Sequence, residues 1–153
     1  GGYIQLTALD EAAKPAIYKR VCRDMDEAQS VEHPVVPNMD IVHNRVMLEL
    51  FRGCSRGCRF CQAGMIYRPV REKNVERLKD LAYKMLKNTG HEEISLSSLS
   101  SSDYSQLGEL VNFLIDEFGS KGINISLPSL RACVGHASIH LWHFPHRLGT
   151  GLS

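Results

Sequence analysis

Three of the five cysteines in this chain fall within eight consecutive positions, as Cys54, Cys58 and Cys61 in the spacing C-x3-C-x2-C. An odd number of cysteines clustered in this way is a poor disulfide framework and indicates metal binding or catalysis in a reducing compartment. Thiolates are soft ligands that select zinc or iron–sulfur clusters. Gly53 and Gly57 are expected to let the backbone turn sharply around a bound cluster.

The number of nearby ligands discriminates between the two metals. A structural zinc ion requires four closed ligands, and the candidates for a fourth, Cys22, His43 and Cys133, lie far from the cysteine loop in the sequence. A four-iron cluster held by three cysteines leaves one iron open, as a catalytic metal requires. The spacing therefore favours an iron–sulfur cluster, with a zinc-binding interaction module as the alternative.

Arginines surround the cysteines and are expected to offset the charge of bound thiolates. They also allow a third interpretation, in which the loop is an RNA-contacting basic patch. The arginines of this patch are Arg52, Arg56, Arg59, Arg68 and Arg71.

Composition places few limits on the partners. The chain has 153 residues, of which 43% are apolar and 23% charged, which is typical of one folded domain. A net charge of +1 gives no overall field toward nucleic acid or a membrane surface. No apolar run approaches the roughly 20 residues of a membrane helix, so we expect a cytoplasmic protein with no membrane partner. Because the chain begins with Gly1 rather than Met, we expect a piece of a longer protein.

Apolar residues predict three strands, at 46–51, 94–96 and 123–127. Two amphipathic helices separate them. This alternation predicts an α/β fold with parallel strands and helical crossovers. A complete eight-unit barrel takes about 250 residues, or roughly 31 per unit, so the chain has room for a partial (β/α) barrel of roughly three strand–helix units.

The helix boundaries are predicted from capping residues. The first helix follows an N-cap at Asn74 and ends at Gly90, and the second runs from about Tyr104 to Gly119. Functional residues of such a fold lie beyond the carboxyl ends of the strands, where the cysteine loop and the serine run 97–103 both fall.

The sequence predicts three parts. Residues 1–45 form a lead-in or linker in which 17–23 could be a strand, 46–131 form the incomplete core, and 132–153 form an off-pattern tail. A metal site in the tail is disfavoured because Pro145 interrupts any helix there. Its candidate ligands are His136, His140, His143 and His146.

The cysteine motif, with Phe60 just before the last cysteine and a strand just before the loop, resembles the signature of the radical S-adenosylmethionine (radical SAM) superfamily. The longer string over 37–72 is similar to a bacterial subgroup whose members often carry an upstream cobalamin-binding-like domain. Arg71 and Glu72 also resemble the tRNA methylthiotransferase branch. The resemblance covers roughly residues 15–131, and family members continue with further strand–helix units, which predicts a truncation near Arg131.

The resemblance implies a mechanism and its cofactors. The open iron of a 4Fe–4S cluster would chelate S-adenosylmethionine, and one electron from a donor such as flavodoxin or ferredoxin would release a 5′-deoxyadenosyl radical that takes a hydrogen atom from substrate. The resemblance also allows cobalamin as a cofactor of the full-length parent and a macromolecule, RNA or protein, as the substrate. The isolated fragment is expected to ligate a cluster yet to lack turnover.

The resemblance also implies cofactor contacts. Phe60 would lie against the adenine, mainly through its backbone, and the alternative is a buried aromatic under the loop. Ser98, Ser100 and Ser101 would hold the methionine amino group, in place of the family's glycine–glycine–glutamate form. The alternative is a solvated loop with a helix cap at Ser102 or Asp103.

Arginines could hold the anionic parts of a ligand. Arg131 would pair with a carboxylate or phosphate, and its alternative is a lone surface arginine. Arg68 and Arg71 are read as a solvated basic turn rather than as substrate contacts.

Overall fold

The fold is a mixed α/β structure in which a small parallel sheet is covered by two helices. The computed structural model describes residues 7, 9–10, 12–14, 16 and 18–130. The predictions for Arg131, Cys133 and the histidines of the tail lie outside the described residues. Among the described residues, no helix combines the length and the hydropathy of a transmembrane segment.

The helices and strands alternate along the chain as the sequence predicts. The strands are β1 (Val46–Glu49), β2 (Phe51–Arg52), β3 (Arg71–Glu72), β4 (Glu93–Ser97) and β5 (Asn124–Ser126). The α-helices are α1 (Ala63–Ile66), α2 (Val75–Thr89) and α3 (Leu107–Phe118).

The main sheet is parallel, in the order β1-β4-β5. Val46 lies opposite Ile94, and Ile94 lies opposite Ile125. All three side chains are buried in one core with the apolar faces of α2 and α3. Because side chains alternate along a strand, Met47 and Ser95 lie together on the other face. The predicted α/β architecture of a partial (β/α) barrel is confirmed.

The first predicted helix is confirmed at both ends. The Asn74 side chain accepts a hydrogen bond from the Glu76 backbone N–H at 2.9 Å, which satisfies one of the unpaired donors of the first turn. Gly90 ends the helix with φ 71°, a left-handed conformation that glycine adopts without strain.

The second predicted helix starts later than expected. Residues Ser101–Asp103 form a short 3₁₀ turn, and α3 starts only at Leu107, without a side-chain cap. The proposed cap at Ser102 or Asp103 is therefore wrong. Gly119 continues into a second 3₁₀ turn at φ −60°, and Gly122, at φ 78°, takes the left-handed position instead.

The apolar run 46–51 is divided between two sheets, not one strand. The Leu50 N–H donates to Ser97 at 2.9 Å, while its carbonyl accepts from Lys73 at 2.9 Å. Strand β2 then leaves the main sheet and pairs antiparallel with β3. Apolar character alone does not predict where β1 ends and β2 begins, because Leu50 and Phe51 are both buried.

The lead-in packs on α2. Met25 is 1% exposed, the Asp26 carboxylate accepts from the Asn74 N–H at 2.8 Å, and Glu32 pairs with Arg77 at 3.0 Å. The strand considered at 17–23 is absent from its described residues. The backbone there is held by side chains instead, because Arg71 donates to the Cys22 carbonyl at 3.1 Å.

Candidate metal centre

The cysteine loop is closed at its base by the β2–β3 ribbon. Phe51 lies opposite Glu72, and Arg52 lies opposite Arg71. The ribbon fixes where the loop leaves and rejoins the fold, next to the carboxyl end of β1. The amino-acid sequence did not predict the ribbon, because two-residue strands carry no periodic signal.

Two glycines fit where a side chain cannot. Gly53 has φ 102°, and a Cβ built on it would lie 2.4 Å from the Tyr67 carbonyl oxygen. A Cβ on Gly64, in α1, would lie 2.0 Å from the Arg56 carbonyl oxygen. The space around Gly57 is open to 4 Å. The expectation of a sharp, glycine-dependent turn therefore holds for Gly53 and fails for Gly57.

Arg68 and Arg71 hold the loop backbone. The Arg68 guanidinium donates to the carbonyls of Gly64 and, at 3.4 Å, Ser55. Arg71 donates to Pro69 at 3.0 Å and to Cys22 at 3.1 Å. Each of these residues uses two of its five donors on carbonyl groups of the loop and the lead-in, while Arg68 stays exposed to solvent. The basic turn is therefore solvated, as the sequence predicts, but it is also anchored to the backbone.

Arg56 connects the cysteine loop to the end of the second parallel strand. Its Nε and Nη2 donate to the two carboxylate oxygens of Asp103 at 2.9 and 2.7 Å. This is the two-point geometry that makes arginine–carboxylate pairs specific. Asp103 raises the pKa of the Arg56 guanidinium, and the charges of Cys54 and Cys58 add smaller contributions in the same direction.

A cavity of about 750 Å³ lies between the cysteine loop and the serine run. Cys54, Ser100 and Ser102 are among the residues that line it. The hydroxyl oxygens of Ser100 and Ser102 are buried and have no hydrogen-bond partner among the described residues. Because an unsatisfied buried hydroxyl is costly, these two groups are available to a polar ligand in the cavity.

The predicted serines do not share one role. Ser101 is 0% exposed, and its hydroxyl donates to the Leu96 carbonyl at 3.4 Å and bonds to the Ser98 hydroxyl at 3.0 Å. Its N–H also donates to the Ser129 carbonyl at 3.2 Å. Ser101 thus holds the loop together, while Ser98 lines a smaller cavity of about 380 Å³ beside Gly53.

Phe60 projects from the loop and is 93% exposed. The alternative of a buried aromatic packing under the loop is therefore wrong. Its ring is accessible to a ligand at the tip of the cysteine loop.

The three loop thiols are half-buried, and none is part of a disulfide. Across the described residues, no group of three or more His, Cys, Asp or Glu side chains is gathered closely enough to hold a metal ion. Two features fit an iron–sulfur cluster with a bound ligand. One is the donor chemistry of three thiols on a single loop, and the other is the pair of unsatisfied hydroxyls across the cavity from Cys54.

The fold and the site define a domain of the partial (β/α)-barrel class that presents three cysteine thiols beyond the carboxyl ends of parallel strands. A sequence model of the Radical SAM superfamily matches residues 48–132, more than half of the chain, and the chain belongs to this superfamily. Membership implies a 4Fe–4S cluster and S-adenosylmethionine.

An uncharacterized protein from Methanocaldococcus jannaschii is similar to the chain. It is 42% identical over 86 residues, which is 56% of this chain and 18% of that protein. The chain thus matches less than a fifth of the length of this relative.

Proposed function

We propose that this chain carries the cluster-binding part of a radical S-adenosylmethionine enzyme, with Cys54, Cys58 and Cys61 as ligands of a 4Fe–4S cluster. When bound, the cluster with its open iron and S-adenosylmethionine supply reductive cleavage to a 5′-deoxyadenosyl radical. The observation that carries the proposal is the shared cavity of Cys54 and the two unsatisfied hydroxyls.

The chain's own residues bind and orient the cofactor. The hydroxyls of Ser100 and Ser102 accept hydrogen bonds from the ammonium group of S-adenosylmethionine, since both lack another partner among the described residues. Ser98 and Ser101 stabilise this loop through the hydrogen bond between their hydroxyl groups. Phe60 offers its backbone and its exposed ring to the adenine, and Arg131 remains a predicted partner for a carboxylate or phosphate.

Ion pairs weaken the RNA-binding alternative, and the number of cysteine ligands weakens the zinc alternative. Glu49 forms a two-point pair with Arg52 at 2.8 and 2.7 Å, and Asp103 does the same with Arg56, so two charges of the supposed RNA patch are neutralised. A structural zinc site needs four protein ligands, and the cysteine motif supplies three.

Anaerobic iron–sulfur reconstitution tests the proposal. We expect about four iron atoms per chain, a visible iron–sulfur absorbance, and a change in the electron paramagnetic resonance spectrum of the reduced cluster when S-adenosylmethionine is added. Replacing any one of the three loop cysteines by alanine is expected to abolish iron binding, while the matched control Cys22→Ala retains it. Stoichiometric zinc with no iron-dependent absorbance would overturn the proposal.

A second measurement concerns the hydroxyls. Ser100→Ala and Ser102→Ala are expected to leave the iron content unchanged and to weaken binding of S-adenosylmethionine. Each lost bond to a charged group corresponds to roughly a tenfold effect or more. Unchanged affinity in both variants would remove the hydroxyls from the site while leaving the cluster assignment intact.

The finer assignments are part of this proposal. They include flavodoxin or ferredoxin as donor, RNA or protein as substrate, a cytoplasmic location, and likeness to the cobalamin-linked subgroup and the tRNA methylthiotransferases. The residue string 37–72 supports the likeness to the two subgroups, and the superfamily resemblance supports the donor and the macromolecular substrate. The clustered cysteines and the lack of a long apolar run support the location. No contact among the described residues adds support for cobalamin.

A further inference from the structure

A separate cavity of about 530 Å³ lies between the lead-in and the base of the cysteine loop. It shares no lining residue with the cavity that contains Cys54. Four of its seven lining residues are cationic. The full lining is Lys19, Arg20, Val21, Cys22, Arg52, Tyr67 and Arg71.

Two of the four cations, Lys19 and Arg71, form no ion pair among the described residues. Lys19 donates to the carbonyls of Ile66 and, at 3.3 Å, Arg68. Arg71 donates to the carbonyls of Pro69 and Cys22. Carbonyl acceptors fix the positions of these side chains, but they carry no net charge. The two side chains are therefore held in place while their positive charges persist.

The cavity contains more positive than negative charge. Arg52 forms its ion pair with Glu49, and Arg20 makes no ion pair with any residue in the described part of the chain. The cavity is thus lined by four cationic side chains, of which Arg52 alone is paired with a carboxylate of the described residues. The net charge of the chain, by contrast, is only +1. Such a local excess in a concave site attracts anions.

The cavity is connected to the cysteine loop. Arg52 and Tyr67 also line the 380 Å³ cavity beside Gly53 and Ser98. A ligand whose anionic end lies among the four cations is therefore adjacent to the cavity beside Gly53, at the base of the cysteine loop.

We propose that this cationic cavity binds a phosphate group of the enzyme's substrate. Guanidinium groups match the oxygens of a phosphate in paired geometry, and a lysine adds a point charge. Phosphate binding stands on the cavity alone. Assigning the phosphate to the substrate rests on the proposed function, and the phosphate belongs either to a nucleic acid strand or to a small phosphate ester.

Cys22 reports on the occupancy of the cavity. Its thiol is exposed, and its charge contributes to the raised pKa of Arg52, after the larger effect of Glu49. A bound phosphate is expected to slow the alkylation of Cys22 by iodoacetamide, since it covers the exposed thiol that lines the cavity. Peptide mass spectrometry distinguishes Cys22 from the loop cysteines.

The experiment compares inorganic phosphate, glycerol 3-phosphate and a short uridine oligonucleotide with acetate at equal ionic strength. We expect the phosphates to protect Cys22 and acetate not to. Arg20→Gln is expected to raise the half-protecting concentration at least about threefold, and Arg20→Glu further. The matched changes Lys87→Gln and Lys87→Glu remove the same charges at the far end of α2 and are expected to have no effect.

Each outcome decides the proposal. Tighter protection by the oligonucleotide identifies a nucleic acid strand, and tighter protection by glycerol 3-phosphate identifies a small ester. Absent protection, equal protection by acetate, or equal responses of the Arg20 and Lys87 variants would overturn the site. The Cys54→Ala variant is expected to lack iron. If phosphate still protects Cys22 in this variant, the cavity binds phosphate whether or not the proposed function is correct.

Discussion

Arg56 and Asp103 form a two-point ion pair across 47 residues of sequence, with nitrogen–oxygen distances of 2.9 and 2.7 Å. Arg56 stands between two of the loop cysteines, and Asp103 ends the serine run. The pair therefore fixes the cysteine loop against the side of the cavity that carries the unsatisfied hydroxyls. Its geometry suits a positioning role more than a stabilising one.

Removal of this pair is expected to affect metal loading more than stability. Because Arg56 is half exposed, Arg56→Gln or Asp103→Asn is expected to lower the free energy of unfolding only slightly. We expect iron content after reconstitution to fall in both variants, and to fall no further in the double variant. The control is Glu93→Gln, which breaks the Arg45–Glu93 pair at the amino ends of β1 and β4. This variant should retain iron. Equal iron content in all variants would contradict the positioning role.

The glycines of the loop are expected to respond differently to alanine. Gly53→Ala forces a positive φ on a residue with a side chain and a clash with Tyr67, at an expected cost of about 1–3 kcal/mol. Gly64→Ala brings a Cβ against the Arg56 carbonyl, with a cost of similar size, about 1–3 kcal/mol.

Gly57→Ala is the matched control for the loop glycines, because its surroundings are open. It is expected to change stability by less than about 0.5 kcal/mol. Chemical denaturation and iron content measure all three variants. A Gly57 variant as damaged as the other two would show that the loop geometry described here is wrong.

The lead-in is expected to contribute to stability. Met25→Ala removes a buried side chain and should cost about 2–5 kcal/mol of unfolding free energy. Met39→Ala, in the same segment, removes a side chain that is 76% exposed and should cost less than about 0.5 kcal/mol. Urea denaturation followed by circular dichroism distinguishes the two. Equal, small effects would mean that residues 25–32 form a linker that does not pack on α2.

The Tyr104 hydroxyl makes stability depend on alkaline pH. It is buried and donates to the Lys73 carbonyl at 2.7 Å, and burial raises the pKa of Tyr104 from 10.0 to about 12. Because the folded pKa lies above the unfolded one, the stabilisation is complete below pH 10 and is lost as the pH rises toward 12. The loss amounts to about 1.4 kcal/mol per pH unit in that interval.

Tyr104→Phe is expected to cost about 1 kcal/mol near neutral pH, from the lost hydrogen bond. Its unfolding free energy should then fall less steeply than that of the parent protein between pH 10 and 12. Tyr18→Phe, at an exposed position, is the control and should follow the parent curve. Parallel curves for the parent and Tyr104→Phe would exclude this linkage.

The sequence by itself determined the fold class and the ends of one helix, and it predicts the ligand chemistry. The spacing of Cys54, Cys58 and Cys61 predicts a soft metal centre because all the information for that prediction lies within eight positions. The ends of α2 follow from Asn74 and Gly90, since caps act on neighbouring backbone groups. The alternation of apolar runs likewise predicted the parallel sheet and the α/β class.

Only the tertiary structure decided which polar side chains meet. The Arg56–Asp103 pair, the loop contacts of Arg68 and the burial of Met25 join segments that are distant in sequence or lie in irregular loops. Periodicity does not describe such loops, because their side chains have no fixed direction relative to their neighbours. The inward orientation of Ser101 and the unsatisfied hydroxyls of Ser100 and Ser102 arise for the same reason: a 3₁₀ turn, which the sequence did not predict, sets where each of these side chains points.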